Sequence, residues 1–369
     1  MAFKVFSPPD GVKSWSALYI GQLPQVLSFE GGVPFRGYDD FELVIPYDDY
    51  FAAQIGYNSL IEYSDGVVDI WLIVQRIETE QSRLVLGGYN LSYILSLRVS
   101  ENQQGQEDDA VSGTTAQCIE HFLDNNFISP VNSKRAIPMV FDGNSVTGLS
   151  DDAYLAKRKP VNEIVNELCE AAGIGYTIIG GLPSAAHQPA SLRLRLLPAV
   201  DKSKDQTERA VVVFGVSKRN VKSLIFRHDI TNEYNAAYAT GAGVTVPVYR
   251  STEPEGFERR ECAIDVDAPT AADIEKYALY DLRDNVREET YEIEPAAAGF
   301  GVEYFVGDIV TIRDDNKKQW YSGLITDAGV SMTEGSAGKS LDITVGAAPP
   351  KLLNRIISNA SLGIQKKNR

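Results

Sequence analysis

A chain of 369 residues, 44% hydrophobic and 23% charged, has the balance of a soluble globular protein and the length for two to three domains. Its formal charge of −15 sets it against nucleic acid and anionic membrane as partners, and no stretch is apolar for long enough to span a bilayer. Three scattered cysteines (Cys118, Cys169, Cys262) without a CxxC pair and three dispersed histidines (His121, His187, His228) argue against a disulfide framework, a zinc site and nucleophilic chemistry.

Met1 to Asp10 carries one lysine and two prolines with no apolar run behind it, so no signal peptide is expected and folding in a cytoplasm is. From there to about Val99 the pattern is β-rich. Phe41–Pro46 alternates partly and stops on proline. Asp48–Gln54 suits a short helix before Gly56, and strands are expected around Leu60, Trp71 and Leu84. Leu91, Ile94 and Leu95 then fall at helical spacing, which predicts a short amphipathic helix within Tyr89–Arg98. Glu101–Asp109 reads as an exposed polar loop.

The middle section is α+β in character. Thr115–Asp124 fits a helix with Ile119, Phe122 and Leu123 on one face. Val161–Ala172 is the clearest helix: Ile164, Val165 and Leu168 line one side, Pro160 suits the first turn and Gly173 the end. Strands are expected around Met139–Phe141, at Tyr176–Ile179 and at Leu192–Leu196, where strict alternation makes Arg193 and Arg195 a wet, basic face. After Arg209 the chain returns to β, with strands at Val211–Phe214, Leu224–Asp229 and Asn235–Gly241. A second strong helix covers Ala271–Arg287 with Ile274, Tyr277, Ala278, Leu282 and Val286 as its stripe, followed by a strand at Thr290–Glu294 and more β from Phe305 to Val345. Ala347–Pro350 breaks the chain. Beyond it Leu352, Leu353, Ile356, Ile357, Ala360 and Ile364 share a helical face, and Lys351, Arg355, Lys366, Lys367 and Arg369 give the segment +5, leaving −20 on the first 350 residues. A basic amphipathic tail on an acidic body reads as an interaction segment, with Leu352, Leu353, Arg355, Ile356, Ile357, Lys366, Lys367 and Arg369 as its candidate residues; a solvated terminus is the plainer alternative.

Candidate chemistry is sparse. Gly173-Ile174-Gly175 follows a helix rather than opening one, so it reads as a helix stop and not a phosphate loop. Gly241-Ala242-Gly243 follows a strand with no helix after it and reads as a turn or bulge. Cys118 and His121 sit three apart on a helix with no third orienting group in view; a buried cysteine beside a surface histidine explains them better than a nucleophile and its base. Adjacent acids at Asp39-Asp40, Asp48-Asp49, Asp108-Asp109, Asp151-Asp152 and Asp314-Asp315 point apart and read as solvated turns, none with calcium-loop spacing. Arg193 and Arg195, with Lys202 and Lys204 nearby, suit contact with phosphate or an acidic partner or, more plainly, an ordinary polar sheet face. No catalytic, cofactor-binding or metal-binding residue is assigned. The 18 tyrosines suit surfaces partly buried between subunits.

One strand pattern occurs twice. Ser59–Gly66, Ile70–Val74 and Arg83–Gly88 are mirrored by Gly307–Asp315, Trp320–Ile325 and Ser340–Gly346: an apolar strand, a polar turn, a strand opening on Trp, a gap, and a strand ending in Gly. The order and spacing of Leu60–Ile61, Trp71–Glu78, Leu84–Leu91, Ile94–Arg98, Asn235–Gly241 and Val306–Ile312, closing on Val345-Gly346, resemble the tail-hub proteins of long-tailed bacteriophages, similar to the hub of contractile tails.

That resemblance implies a β-rich α+β fold: two small β-barrel domains related by pseudo-symmetry, with α/β insertion segments. The division expected is a first barrel at 1–110, an α+β insertion at 111–205, a second barrel at 206–348 carrying a helix at about 270–288, and the basic tail at 349–369. It further implies a non-enzymatic homotrimeric ring at the virion tail tip, assembled in the host cytoplasm, whose paired barrels offer six comparable surfaces to a six-fold tube. The distal tail protein would lie above and a tip fibre or receptor-binding protein below, with the tape-measure protein and DNA leaving through the channel. No cofactor, no sequence-specific nucleic-acid binding and no membrane insertion are expected. Longer members carry peptidoglycan-cleaving extensions, and this chain stops soon after the hub. A tail-associated cell-wall-degrading enzyme and a carbohydrate-binding adhesin are the two rival readings.

Overall fold

In the computed structural model, which describes residues 2–7, 19–66, 68–101, 108–143, 153–180, 192–241, 243–266, 270–284, 288–296, 299–333 and 339–347, the chain forms two compact units. The described residues of Met1–Leu224 and Glu292–Ala360 make up the first, and those of Ile225–Tyr291 the second.

The first unit opens with β1 (Ala2–Phe6), β2 (Tyr19–Gln22), β3 (Ser28–Pro34), β4 (Asp40–Pro46), helix α1 (Asp49–Gln54), β5 (Leu60–Ser64), β6 (Asp69–Glu80) and β7 (Arg83–Asn90). Asp48 caps α1, its carboxylate accepting from the backbone of Tyr50 and Phe51. The helix expected within Tyr89–Arg98 is a 3-10 helix at Leu91–Leu97; Leu91, Ile94 and Leu95 are still all buried. After β8 (Asp108–Ser112) comes α2 (Thr115–Leu123). Thr114 and Gln117 satisfy each other's backbone N–H groups there in a capping box. Then follow β9 (Met139–Asp142), β10 (Ala153–Lys157), α3 (Val161–Ala172), β11 (Gly175–Gly180), β12 (Leu192–Leu197), β13 (Val200–Asp201) and β14 (Val213–Gly215). α3 ends where Gly173 takes φ +66 and Ile174 N–H reaches back to Cys169 O, a left-handed cap that glycine adopts without a Cβ clash.

β15 (Val221–Asp229) leads into the second unit, which holds β16 (Ala236–Gly241), β17 (Val244–Tyr249), β18 (Glu261–Asp265) and α4 (Ala271–Asp284). Sequence reading missed β17 and β18: Val244–Tyr249 is interrupted by Pro247, and Glu261–Asp265 is too short and polar to register. β16 is central, antiparallel to β17 and parallel to β18. Ile274, Ala278 and Leu282 of α4 bury against Ala237, Ala239 and Val248; alanines let the helix approach the sheet closely. Val286 lies outside the described residues.

β19 (Glu288–Pro295) returns to the first unit, which closes with β20 (Asp308–Asp314), β21 (Gln319–Thr333) and β22 (Ser340–Ala347). The repeated pattern becomes two antiparallel meanders, β5-β6-β7 and β20-β21-β22. Their hairpins close at the same spacing, Ser64 opposite Asp69 and Asp314 opposite Gln319. Each turn is pinned by an aspartate accepting backbone N–H groups, Asp65 from Val68 and Asp314 from Asn316 and Lys317. Each long middle strand carries one bulged residue facing the last strand, Gln75 in β6 and Thr326 in β21, which bends the strand and increases its twist.

The meanders lie in one sheet, along the path β15-β19-β22-β21-β3-β4-β7-β6-β5-β1-β2, with β20 on β21 and β13 and β14 beside β20. The joint is the ladder from Asp327↔Pro34 to Thr333↔Ser28. β21 exchanges its partner at the bulge: Gln319–Leu324 pairs with β20, Asp327–Thr333 with β3. One core cluster of the unit brings Leu60, Trp71 and Ile73 of the first meander against the 3-10 helix, α2, α3, β11 and β12.

Two glycines mark where strands crowd. A Cβ on Gly88 would lie 2.0 Å from Ile73 O, and one on Gly323 would lie 2.2 Å from Gly346 O. Gly88→Ala and Gly323→Ala are each expected to lower unfolding free energy by about 2 kcal/mol or more, because backbone cannot yield as a side chain does. Gly329→Ala on the same β21 strand, with only Asp342 O at 3.9 Å, is expected to stay within about 1 kcal/mol of wild type. Denaturant unfolding of the three variants checks this.

The joint also holds two carboxylates. A side chain on Gly32 would strike Asp39 Oδ2 at 2.1 Å and crowd Asp327 Oδ1 at 3.2 Å, so glycine leaves the space in which they converge. Burial, then the neighbouring Asp39, raises Asp327 to about 6, and burial also raises Asp39, with Asp40 and Glu30 adding repulsion. A folded-state carboxyl that keeps its proton to higher pH than the unfolded one favours folding at low pH. That advantage disappears between about pH 4 and pH 6. Asp327→Asn is therefore expected to match wild type near pH 4 and to exceed it by up to ~3 kcal/mol above pH 7. Equal stability differences at pH 4 and pH 8 would contradict the assignment.

Candidate functional site

The residues that sequence reading set aside as possible chemistry resolve into structural roles. Cys118 is buried, its Sγ 3.8 Å from Gly113 O, and burial raises its thiol. His121 lies elsewhere on α2's surface, with Nε2 2.7 Å from Asp109 Oδ1 and 3.0 Å from Asn125 Nδ2. Asp109 Oδ2 also accepts from Asn125, so the nearly buried carboxylate is held from α2 and from the π-helical turn after it. Histidine and carboxylate are thus oriented by each other and by Asn125, while the thiol points its hydrogen bond to Gly113 O. Cys169 is fully buried and pushed up to about 12, the reverse of an activated thiolate. Among the described residues no group of three or more His, Cys, Asp or Glu side chains converges as a metal site.

The basic strand face forms as its alternation predicts. Leu192, Leu194 and Leu196 are buried, and Arg193 and Arg195 sit outside. Asp142 on the neighbouring β9 lies 3.5 Å and 3.6 Å from them, so the face carries its own counter-charge. Lys202 belongs to another arrangement: it reaches Asp308 at 2.8 Å and Glu303 O at 2.9 Å, and lies over the Phe305 ring. Asp308, following Gly307 at φ +96, also accepts from Phe305 N–H and so fixes the start of β20.

The described residues leave aromatic side chains exposed in several places, among them Tyr19, Tyr38, Tyr238 and Phe305. At one corner of the first unit, Gly215, Arg313 and Trp320 occupy one row across β14, β20 and β21. The Arg313 guanidinium lies 4.9 Å from the Trp320 ring, and the indole is 48% exposed. A Cβ on Gly215 would come within 3.0 Å of Arg313, so glycine makes room for that stack. Asp315 accepts from Ser217 N–H at 2.9 Å and Oγ at 3.1 Å, tying the 216–219 turn to the β20–β21 hairpin. Val216, Lys218 and Arg219 on that turn and Lys317 and Lys318 on that hairpin are exposed. In the second unit, Phe257 is fully exposed on a 3-10 turn, Gly256–Glu258, with Glu255 and Glu258 on either side. That loop is braced by Arg259, which bonds Glu253 and Glu261 and lies 5.4 Å from the Tyr249 ring. Tyr47, Tyr50 and Tyr57 are exposed around α1.

Sequence reading used Trp320 as a strand marker and gave Phe257 no role. A lone apolar residue between acids has no periodicity, and the Arg313 that stacks on Trp320 is given room by a glycine far away in the chain. The tail residues Leu352, Leu353, Arg355, Ile356, Ile357, Lys366, Lys367 and Arg369 lie outside the described residues.

The chain belongs to the siphovirus ReqiPepy6 Gp37-like protein family, whose pattern matches residues 16–347. No curated protein sequence matches it. Its fold is similar to the 43 kDa tail protein of prophage MuSo2 from Shewanella oneidensis (TM-score 0.57, 13% identity, 94% of this chain and 99% of that one). It is also similar to the prophage tail protein gp18 from Listeria monocytogenes EGD-e (0.51, 12%, 98% and 99%) and to a tail protein from Neisseria meningitidis MC58 (0.51, 13%, 94% and 97%). At such identities the likeness is one of fold.

Proposed function

We propose that this chain is a structural, non-enzymatic component of the tail tip of a long-tailed phage, where it forms the hub. The observation that carries the reading is the pair of like meanders, bulged at like places and held in one sheet, within a chain of phage tail-protein fold. Each meander belongs to one of two barrel-like halves, with the α2, α3 and β8–β12 segment as the insertion. Three chains then present six comparable surfaces, which reconciles a three-fold tip with a six-fold tube.

In this arrangement the ring joins the distal tail protein to a tip fibre or receptor-binding protein, and the tape-measure protein and DNA pass through it. The net charge of −15 suits a channel wall that repels DNA and lets it slide. The basic segment Leu352–Arg369 docks on a tail neighbour, its cations matched to an acidic surface. Assembly takes place in the host cytoplasm.

Mass measurement and imaging of the purified chain with its tail neighbours should yield a closed trimeric ring incorporated at the tip, and a chain absent from purified tails would end the proposal. Deleting residues 351–369 should leave thermal unfolding unchanged and reduce tail incorporation severalfold; undiminished incorporation rejects the docking role of that segment. A lytic band on host cell walls given by the purified chain would favour the hydrolase instead.

A further inference from the structure

We infer that this chain is self-complementary head to tail, the Phe257 knob of one copy seating on the Trp320 corner of the next. The inference rests on the ring-forming reading and adds a contact to it. The knob is an aromatic side chain left fully exposed by the described residues, on a loop that cannot easily fold it away. Arg259 holds that loop through two carboxylates and a tyrosine ring, so Phe257 is presented at little further entropic cost on binding. The charges beside it, Glu255 and Glu258, are acidic and exposed.

The corner has the opposite character. Trp320 is 48% exposed where the β20–β21 hairpin enters β21, and Val216 is 61% exposed on the turn that Asp315 ties to that hairpin. Lys218, Arg219 and Lys318 lie exposed on those same two loops, on a molecule whose net charge is −15. Tryptophan and arginine on a braced patch, with like charges on its loops, are the composition of an interface hot spot. An apolar knob flanked by acids meets an apolar seat flanked by cations, so each charge on one side finds its opposite on the other. One chain carries both halves, the knob in its second unit and the corner in its first. A contact between unlike surfaces of identical chains is heterologous, and it closes into a ring when the rotation allows.

The test uses the full-length protein. Sedimentation across a wide concentration range should show wild-type self-association. Trp320→Ala and Phe257→Ala should each weaken it at least tenfold, with thermal unfolding unchanged. Lys218→Glu and Glu258→Lys should each weaken association, and the chain carrying both should recover it, an outcome that loss of folding cannot imitate. In a Cys262→Ala background, oxidising a mixture of Val216→Cys and Phe257→Cys chains should give a 216–257 disulfide between chains. A wild-type chain that stays monomeric and gives no such disulfide overturns the inference, as does association indifferent to all four substitutions. A stable ring untouched by them removes this contact and leaves the tail role intact, whereas failure to enter tails removes the role itself. Binding of the corner only to a different acidic protein also overturns it.

Discussion

The fold depends on one strand serving two sheets' worth of pairing. β21 gives its first residues to β20, bulges at Thr326, and gives the rest to β3, while β22 runs along its other side. A regular strand cannot make that exchange smoothly, because its hydrogen-bonding edge would have to accommodate two neighbours in one plane. The bulge supplies the extra residue and the bend that turns the edge from one neighbour to the other. Thr326 is held while it does so: its carbonyl accepts from Phe35 N–H and its hydroxyl donates to Thr344 O.

From that joint the rest of the first unit is placed. Phe35 follows β3 directly, and its carbonyl accepts from Tyr176 N–H at the head of β11, while Arg36 donates to Ile174 O. A Cβ on Gly175 would lie 2.1 Å from Phe35 O, and one on Gly307 would lie 2.6 Å from the Phe35 ring. The helical insertion and the start of β20 therefore both abut the same residue. The cap of α3, the Ile174 turn and the joint are fixed by backbone contacts too close for any side chain to intervene. The second unit has a separate small core, in which α4 lies over alanines and valine instead of large side chains.

Much of this was legible in the sequence where a face of a helix or a spacing of turns carried it. Ile164, Val165 and Leu168 on α3, and Ile119, Phe122 and Leu123 on α2, are buried as their periodicity requires. The two meanders, Arg193 and Arg195 outside and the short helix before Gly56 follow from local pattern in the same way. What pattern does not carry is pairing between distant segments. Nothing in Ser28–Pro34, with its Glu30 and two glycines, announces that it will bridge the meanders, because its partners Asp327–Thr333 lie some 300 positions away. The exposed aromatics are hidden for the related reason that a single Phe or Trp reads the same in a core and on a surface. Only the packing around Gly215 and Arg259 distinguishes them.

The carboxylates at the joint run against the logic of that packing. Asp39 and Asp327 converge over Gly32 in a place where both are partly stripped of water, and the charges that raise Asp39 further, Asp40 and Glu30, are acids too. Desolvation and like charge act in the same direction, each favouring the neutral form of one group. The ladder between β21 and β3 must hold against that repulsion at neutral pH, and it does so with seven residue pairs, from Asp327↔Pro34 to Thr333↔Ser28. The glycines and backbone contacts beside the carboxylates carry no such charge, so the joint combines geometry that is insensitive to pH with two acids whose protonation, on acidification, is expected to relieve the repulsion across it.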